Sequence, residues 1–143
     1  MSVLVDTPVW SELFRRAAPE HGVQRALREL IESGEALLIG PIRQELLSGV
    51  RDPRQFGKLR RALRAFPDEP IETVDYESAA TCFNRCRSSG IQGSNTDFLI
   101  CAIALRLGAT IFTLDQDFQA FESVLSIRLF RLPEDGSISK SIG

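Results

Sequence analysis

The run Thr96-Asp97-Phe98-Leu99-Ile100-Cys101-Ala102-Ile103-Ala104-Leu105-Arg106-Leu107-Gly108-Ala109-Thr110-Ile111-Phe112-Thr113-Leu114-Asp115 decides the architecture. From Thr96 to Leu107 it is apolar on nearly every side, which predicts a central helix buried all round. Gly108 is the stop signal that ends such a helix. Ala109 to Leu114 then reads as a buried strand, and Asp115-Gln116-Asp117-Phe118 follows it at once.

Working outward, the same alternation recurs. Ser2 to Val5 is a valine-rich strand that ends at Asp6, and Thr7-Pro8 reads as a helix N-cap followed by proline at the first helical position. Val9, Trp10, Leu13 and Phe14 give that helix an apolar face. A second helix is predicted from about Glu20 to Ser33, with Val23, Ala26, Leu27, Leu30 and Ile31 at helical spacing and Gly34 at its end. Ala36 to Ile39 is the next strand, and Pro41 opens a helix that carries Glu45, Leu46 and Leu47. Asp52-Pro53 repeats the cap-then-proline signal and starts a basic helix ending near Phe66. Pro67 to Pro70 is a turn, and Ile71 to Val74 is predicted as a third strand. A helix from Tyr76 to Ser88 should face Ala79, Ala80, Phe83 and Cys86 inward, with Gly90 to Ser94 as a loop. Ile127 to Phe130 is a last edge strand, and the polar tail from Glu134 is expected to fray. Strands alternating with helices at these lengths predict an α/β domain whose sheet is mostly parallel and covered on both faces. At 143 residues the whole chain, 1–143, fits one domain.

Composition narrows the function classes. The chain is 43% hydrophobic and 25% charged, and its longest apolar run, Phe98 to Leu105, is far too short to cross a bilayer. Asp6 interrupts the first apolar stretch before a signal sequence can form, so a cytoplasmic location is expected. Cys82, Cys86 and Cys101 match no zinc spacing and read as buried thiols. The formal net charge of −2 lacks the basic excess common in nucleic-acid binders, so the distribution of charge matters more than its sum.

In open α/β sheets, ligands bind outside the carboxyl ends of the strands. Asp6 and Asp115 each follow a strand there, with Asp117 close behind. Asp97 stands in the first turn of the most apolar helix, and Glu45 lies in the short helix after the second strand. Singly, each has an ordinary explanation: Asp6 and Asp97 as helix caps, Asp115 and Asp117 as turn residues, Glu45 as a solvated helix position. Together they form a cluster of carboxylates near an apolar core, which a cation must hold ionised. Oxygen donors without histidine or cysteine select Mg²⁺ or Mn²⁺ over zinc.

Four stretches carry a family resemblance: Val5 to Trp10 (Val-Asp-Thr-Pro-Val-Trp), Gly40 to Leu47 (Gly-Pro-Ile-Arg-Gln-Glu-Leu-Leu), Thr96 to Ala102, and Thr113 to Phe118. In this order and at these spacings they resemble the signatures of PIN-domain ribonucleases, in particular VapC-like toxins of VapBC toxin–antitoxin pairs. The match spans Leu4 to Leu132. It implies a three-layer α/β/α fold and a Mg²⁺- or Mn²⁺-dependent endoribonuclease that hydrolyses RNA phosphodiester bonds. It carries over Asp6 and Asp97 as the metal-holding carboxylates, Glu45 and Asp115 as the third and fourth acids, and Asp117 as an assisting neighbour. It also implies a homodimer and a cognate VapB-like antitoxin that neutralises the enzyme. One position departs: the family commonly has serine or threonine two places after its first aspartate, where this chain has Pro8. Thr7 is the adjacent hydroxyl able to take over part of that task.

An acid pocket repels RNA, so cations must lie around it. Arg51, Arg54, Lys58, Arg60, Arg61 and Arg64 are opposed locally only by Asp52; they form either a phosphate-contacting rim or a solvated helix face. The segments Trp10 to Phe14 and Leu46 to Leu63 are expected to present apolar and basic surface to an antitoxin helix, with Trp10 itself reading first as core packing. His21, the only histidine, reads as a surface residue rather than a general base. Two rivals follow from the same residues. A phosphatase with Asp6 as covalent nucleophile wants a second acid two places on, where Pro8 stands. A PIN domain kept only as a binding module conflicts with the presence of all four acids.

Overall fold

The computed structural model describes residues 1–14 and 22–132. Three short parallel strands, β1 (Val3–Val5), β2 (Ala36–Leu37) and β3 (Thr110–Phe112), form a sheet in the order β2-β1-β3. Among the described residues seven helices surround it: α1 (Thr7–Leu13), α2 (Gly22–Glu32), α3 (Gly40–Leu47), α4 (Pro53–Leu63), α5 (Thr73–Ser88), α6 (Asn95–Leu107) and α7 (Asp117–Glu122). The expected three-layer α/β/α arrangement results. Helix α6 packs on β1 and β3 and is backed by α5, while α1, α2 and α3 pack together with α2 against β2. No described helix is long and apolar enough to cross a membrane.

Helix α6 is buried from Phe98 to Ala104, as its unbroken apolar sequence requires. Ser94 caps it: the Ser94 hydroxyl accepts from Asp97 N at 3.0 Å, and the Asp97 carboxylate accepts from Ser94 N at 3.1 Å. Gly108 ends it at φ +65°, a left-handed conformation that costs glycine nothing. The loop before the cap also needs a glycine, because a Cβ on Gly93 would stand 2.5 Å from the Phe121 ring.

Several expectations are corrected. The N-cap of α1 is Asp6, not Thr7; its carboxylate accepts from Thr7 N at 2.8 Å. The strand expected at Ile71 to Val74 does not form. Asp75 reaches back to accept from Glu72 N at 2.9 Å, which starts α5 at Thr73, and the extended chain is reduced to one bridge between Leu38 and Asp68. The edge strand at Ile127 to Phe130 is likewise a single bridge, Leu129 to Ile111. Helix α4 stops at Leu63 rather than Phe66, where Arg43 of α3 donates to the carbonyls of Leu63 and Phe66 and to Asp68. Ala80 is exposed, and Cys82 takes the inward position instead. Trp10 is fully buried, donating from Nε1 to the Val5 carbonyl and meeting Phe66 edge-on at 4.9 Å. His21 and the tail from Glu134 lie outside the described residues.

Asp75 carries no signal in the sequence pattern, yet it is 1% exposed. It accepts two hydrogen bonds from Arg106, at 2.7 and 2.9 Å, and so pins α5 to α6. Those bonds hold its pKa below the usual aspartate value. A carboxyl whose folded pKa is depressed stabilises the fold above its unfolded pKa and loses that contribution as pH falls below it. Asp75→Asn is therefore expected to lower the melting temperature at neutral pH. Between about pH 4 and pH 2, where aspartates protonate, its melting temperature should fall less steeply than the parent's. Thermal melts across that range check this, and parallel curves would remove Asp75 from the account.

Candidate active site

The acids come to the site by three routes. Asp6 and Asp115 leave the carboxyl ends of β1 and β3, and Asp117 opens α7 directly after. Asp97 enters at the third position of α6, the helix that lies across those two strands. Glu45 is delivered by α3, whose entry from β2 is set by Ile39 and by Pro41 in its first turn.

Asp6 is 6% exposed. Burial pushes its pKa above the ordinary value against the pull of bonds from Thr113 and Thr7, and the charges of Asp97 and Glu45 push it further. Asp97 is also raised, first by burial and then by Asp115 and Asp117, against its bonds to Ser94. The five acids are thus electrostatically linked, Glu45 through Asp6 and the Asp115–Asp117 pair through Asp97. Both acids also serve their helices: Asp6 is the N-cap of α1, and Asp97 completes the capping box of α6 with Ser94.

Two hydroxyls organise the carboxylates. Thr7, beside Pro8, donates to Glu45 Oε2 at 2.5 Å. Thr113 donates to Asp6 Oδ2 at 2.8 Å and accepts from Asp115 N at 3.0 Å, while Asp115 Oδ1 accepts from Asp117 N at 2.9 Å. Thr113 is a member of the candidate site that the sequence pattern did not single out. The signal lay in the register: Val5 pairs with Phe112, so the next residues, Asp6 and Thr113, stand opposite each other.

The donor set suits a hard cation. Asp6 and Asp97 offer oxygens only, and each carboxylate keeps lone pairs beyond the bonds just described. Among the described residues no group of three or more histidine, cysteine, aspartate or glutamate side chains is placed to hold a metal by itself. A site of two carboxylates completed by water is what Mg²⁺ commonly accepts, since it sheds its waters reluctantly.

The sequence pattern of the PIN domain matches residues 3–123. Ribonuclease VapC11 of Mycobacterium tuberculosis is 33% identical over 132 residues, covering 88% of this chain and 96% of that protein. The fold is similar to that of FitAcB from Neisseria gonorrhoeae, with a TM-score of 0.74 at 22% identity over 90% of this chain and 96% of that one. It is also similar to a chain in a toxin–antitoxin complex from Klebsiella pneumoniae, with a TM-score of 0.61 at 21% identity over 82% and 90%. The matched span contains every element that delivers an acid, and the chain belongs to the PIN-domain family.

Proposed function

We propose that the protein is a divalent-metal-dependent endoribonuclease acting as the toxin of a toxin–antitoxin pair, in the cytoplasm and as a homodimer. The observation that carries the nuclease reading is that Asp6, buried at the end of β1, feels the charges of Asp97 and Glu45, and that Asp6 and Asp97 are both pushed towards protonation by burial and by neighbouring acids. The mycobacterial relative, a ribonuclease by name, supports RNA as substrate. The Klebsiella structure, a toxin–antitoxin complex, supports an antitoxin as partner.

Asp6 and Asp97 would hold Mg²⁺ or Mn²⁺, which when bound supplies Lewis acidity, makes a coordinated water more acidic and orients it. Thr113 fixes one oxygen of Asp6 and Thr7 N the other, so the carboxylate plane cannot swing. Glu45 is exposed and held through Oε2 by Thr7, which leaves Oε1 to accept a proton from an attacking water. Asp115, anchored on Thr113, contributes a second acceptor across the pocket. The test is cleavage of a single-stranded RNA that requires Mg²⁺ or Mn²⁺, stops with chelator, and leaves a small aryl phosphate intact. Cleavage insensitive to chelation would refute it.

Arg51, Arg54, Lys58, Arg60, Arg61 and Arg64 are all exposed on or beside α4, which Arg43 ties to the helix that carries Glu45. This placement supports a phosphate rim. Neutralising Arg54 and Lys58 together is expected to flatten the dependence of log affinity on log salt by roughly one to two units. An unchanged slope in RNA-binding titrations would return these residues to a solvated face. The antitoxin surface is smaller than the sequence suggested, because Trp10 is buried. A cleft of about 330 Å³ remains between the end of α1 and α4, with Phe14, Val50, Leu59 and Ala62 as its apolar part and Gln55 and Lys58 at its rim. An amphipathic helix from the antitoxin fits that chemistry.

A further inference from the structure

We propose that the cleft between the end of β3, the start of α7 and the 129–132 segment binds the nucleotide next to the scissile phosphodiester; this rests on the ribonuclease reading above. Arg131 takes its phosphate, and Gln116 and Gln119 take its base. The cleft holds about 360 Å³, and Thr113 and Asp115 form part of its wall. It therefore opens directly on the carboxylate cluster, since Thr113 also bonds Asp6. Its volume is at the lower end of the roughly 300–1,000 Å³ typical of small-ligand sites.

Register brings Arg131 to the acids. Leu129 pairs with Ile111 in parallel, and Phe130 N donates to the Ile111 carbonyl at 2.8 Å. The next residues, Phe112 and Phe130, lie side by side with ring centroids 4.6 Å apart. One position further on each segment stand Thr113 and Arg131, and both line the cleft. The arginine pairs with Glu122 at 3.4 Å, yet its side chain is 74% exposed. A pair so open to solvent contributes little. An incoming phosphate accepts from both prongs of the guanidinium fork, and so displaces the glutamate at small cost. Gln116 and Gln119 stand three apart at the start of α7, on one face of the turn, and both are exposed. Their amides carry donor and acceptor together, as a base edge does. Leu114 and Leu132, 43% and 38% exposed, leave apolar surface on the cleft wall that the face of a base would cover. Among the described residues lining the cleft Asp115 is the one carboxylate. It repels phosphate, which sends the phosphate to Arg131 and the uncharged base to the glutamines.

The test uses the full chain and a fluorescein-labelled single-stranded RNA, with divalent cations chelated to prevent cleavage. Arg131→Ala should weaken binding by roughly two- to tenfold, the net effect of one lost hydrogen-bonded contact. It should also flatten the slope of log affinity against log salt by about 0.7, the single-strand effect of one phosphate. Arg131→Lys should keep the slope, because it keeps the charge. Glu122→Gln should tighten binding, because it frees the arginine. That sign separates the proposal from a structural role: if the Arg131–Glu122 pair only steadied α7, breaking it from either side would act alike. In Mn²⁺ the parent should cleave a randomised RNA with a base preference next to the cut, and Gln116→Ala combined with Gln119→Ala should relax that preference. If the parent cleaves RNA and Arg131→Ala keeps full affinity and slope, or if Glu122→Gln weakens binding as Arg131→Ala does, the cleft assignment alone is wrong. An unchanged base preference in the glutamine variant overturns it as well. If the parent cleaves no RNA, the nuclease reading and this proposal fall together.

Discussion

Asp97→Asn, and separately Asp6→Asn, is expected to reduce metal-dependent RNA cleavage by more than about a hundredfold, the upper effect of removing an outer-shell partner of a metal site. Both residues are placed as direct ligands, so their loss should exceed that bound. The substitutions are nearly isosteric and keep the local structure. Asparagine caps helices as well as aspartate does, and its side-chain oxygen can still accept from Thr7 N at position 6 or from Ser94 N at position 97. Circular dichroism should therefore match the parent. Calorimetry should show Mn²⁺ affinity falling alongside the rate. Asp117→Asn should do much less, because Asp117 is exposed and adds only its charge to the field at Asp97. Unchanged Mn²⁺ affinity in both Asp6→Asn and Asp97→Asn would sink the metal assignment.

The positions of the acids were legible because each follows from a local signal: a strand end, a helix start, a short helix opened by proline. Their partners were legible only in part: Thr7 was expected near the acids, but neither its bond to Glu45 nor any role for Thr113 was. The bonds from Thr113 to Asp6 and from Thr7 to Glu45 join residues 107 and 38 apart, and only the folded register brings them together. Helix α5 illustrates the same limit. Read by hydrophobicity alone, Ala79, Ala80, Phe83 and Cys86 point inward. In the fold Asp75, Ala79, Cys82 and Cys86 do, spaced four, three and four residues apart. The phase is set by a charged residue: Arg106 draws Asp75 into the interior, and the helix rotates with it. A buried aspartate is invisible to any pattern that counts only apolar positions. The strands were overestimated for a related reason. Short apolar runs fit strand, cap and turn alike, and at Ile71 to Val74 the capping bond made by Asp75 decided for helix.

Divalent metal should matter to stability as well as to catalysis, raising the melting temperature of the parent and leaving that of Asp97→Asn almost unchanged. Asp6 and Asp97 have folded pKa values above the ordinary aspartate value. A carboxyl of this kind makes the folded state bind more protons than the unfolded state as pH rises past the unfolded pKa, so stability declines through that window and stays lowered above it. At neutral pH without metal, these acids therefore work against the fold, and Asp97→Asn should melt higher than the parent. Mn²⁺ reverses the order. A ligand that binds only the folded state, at a free concentration a hundred times its dissociation constant, stabilises by about 2.7 kcal/mol. For a chain of this size that is roughly 10 °C in melting temperature. The parent should gain that increment and overtake Asp97→Asn, whose melting temperature should hardly move. Thermal melts of both proteins with and without Mn²⁺ give the four values needed. If Asp97→Asn rises with Mn²⁺ as far as the parent does, the metal binds elsewhere, and the raised pKa values of Asp6 and Asp97 have some other use.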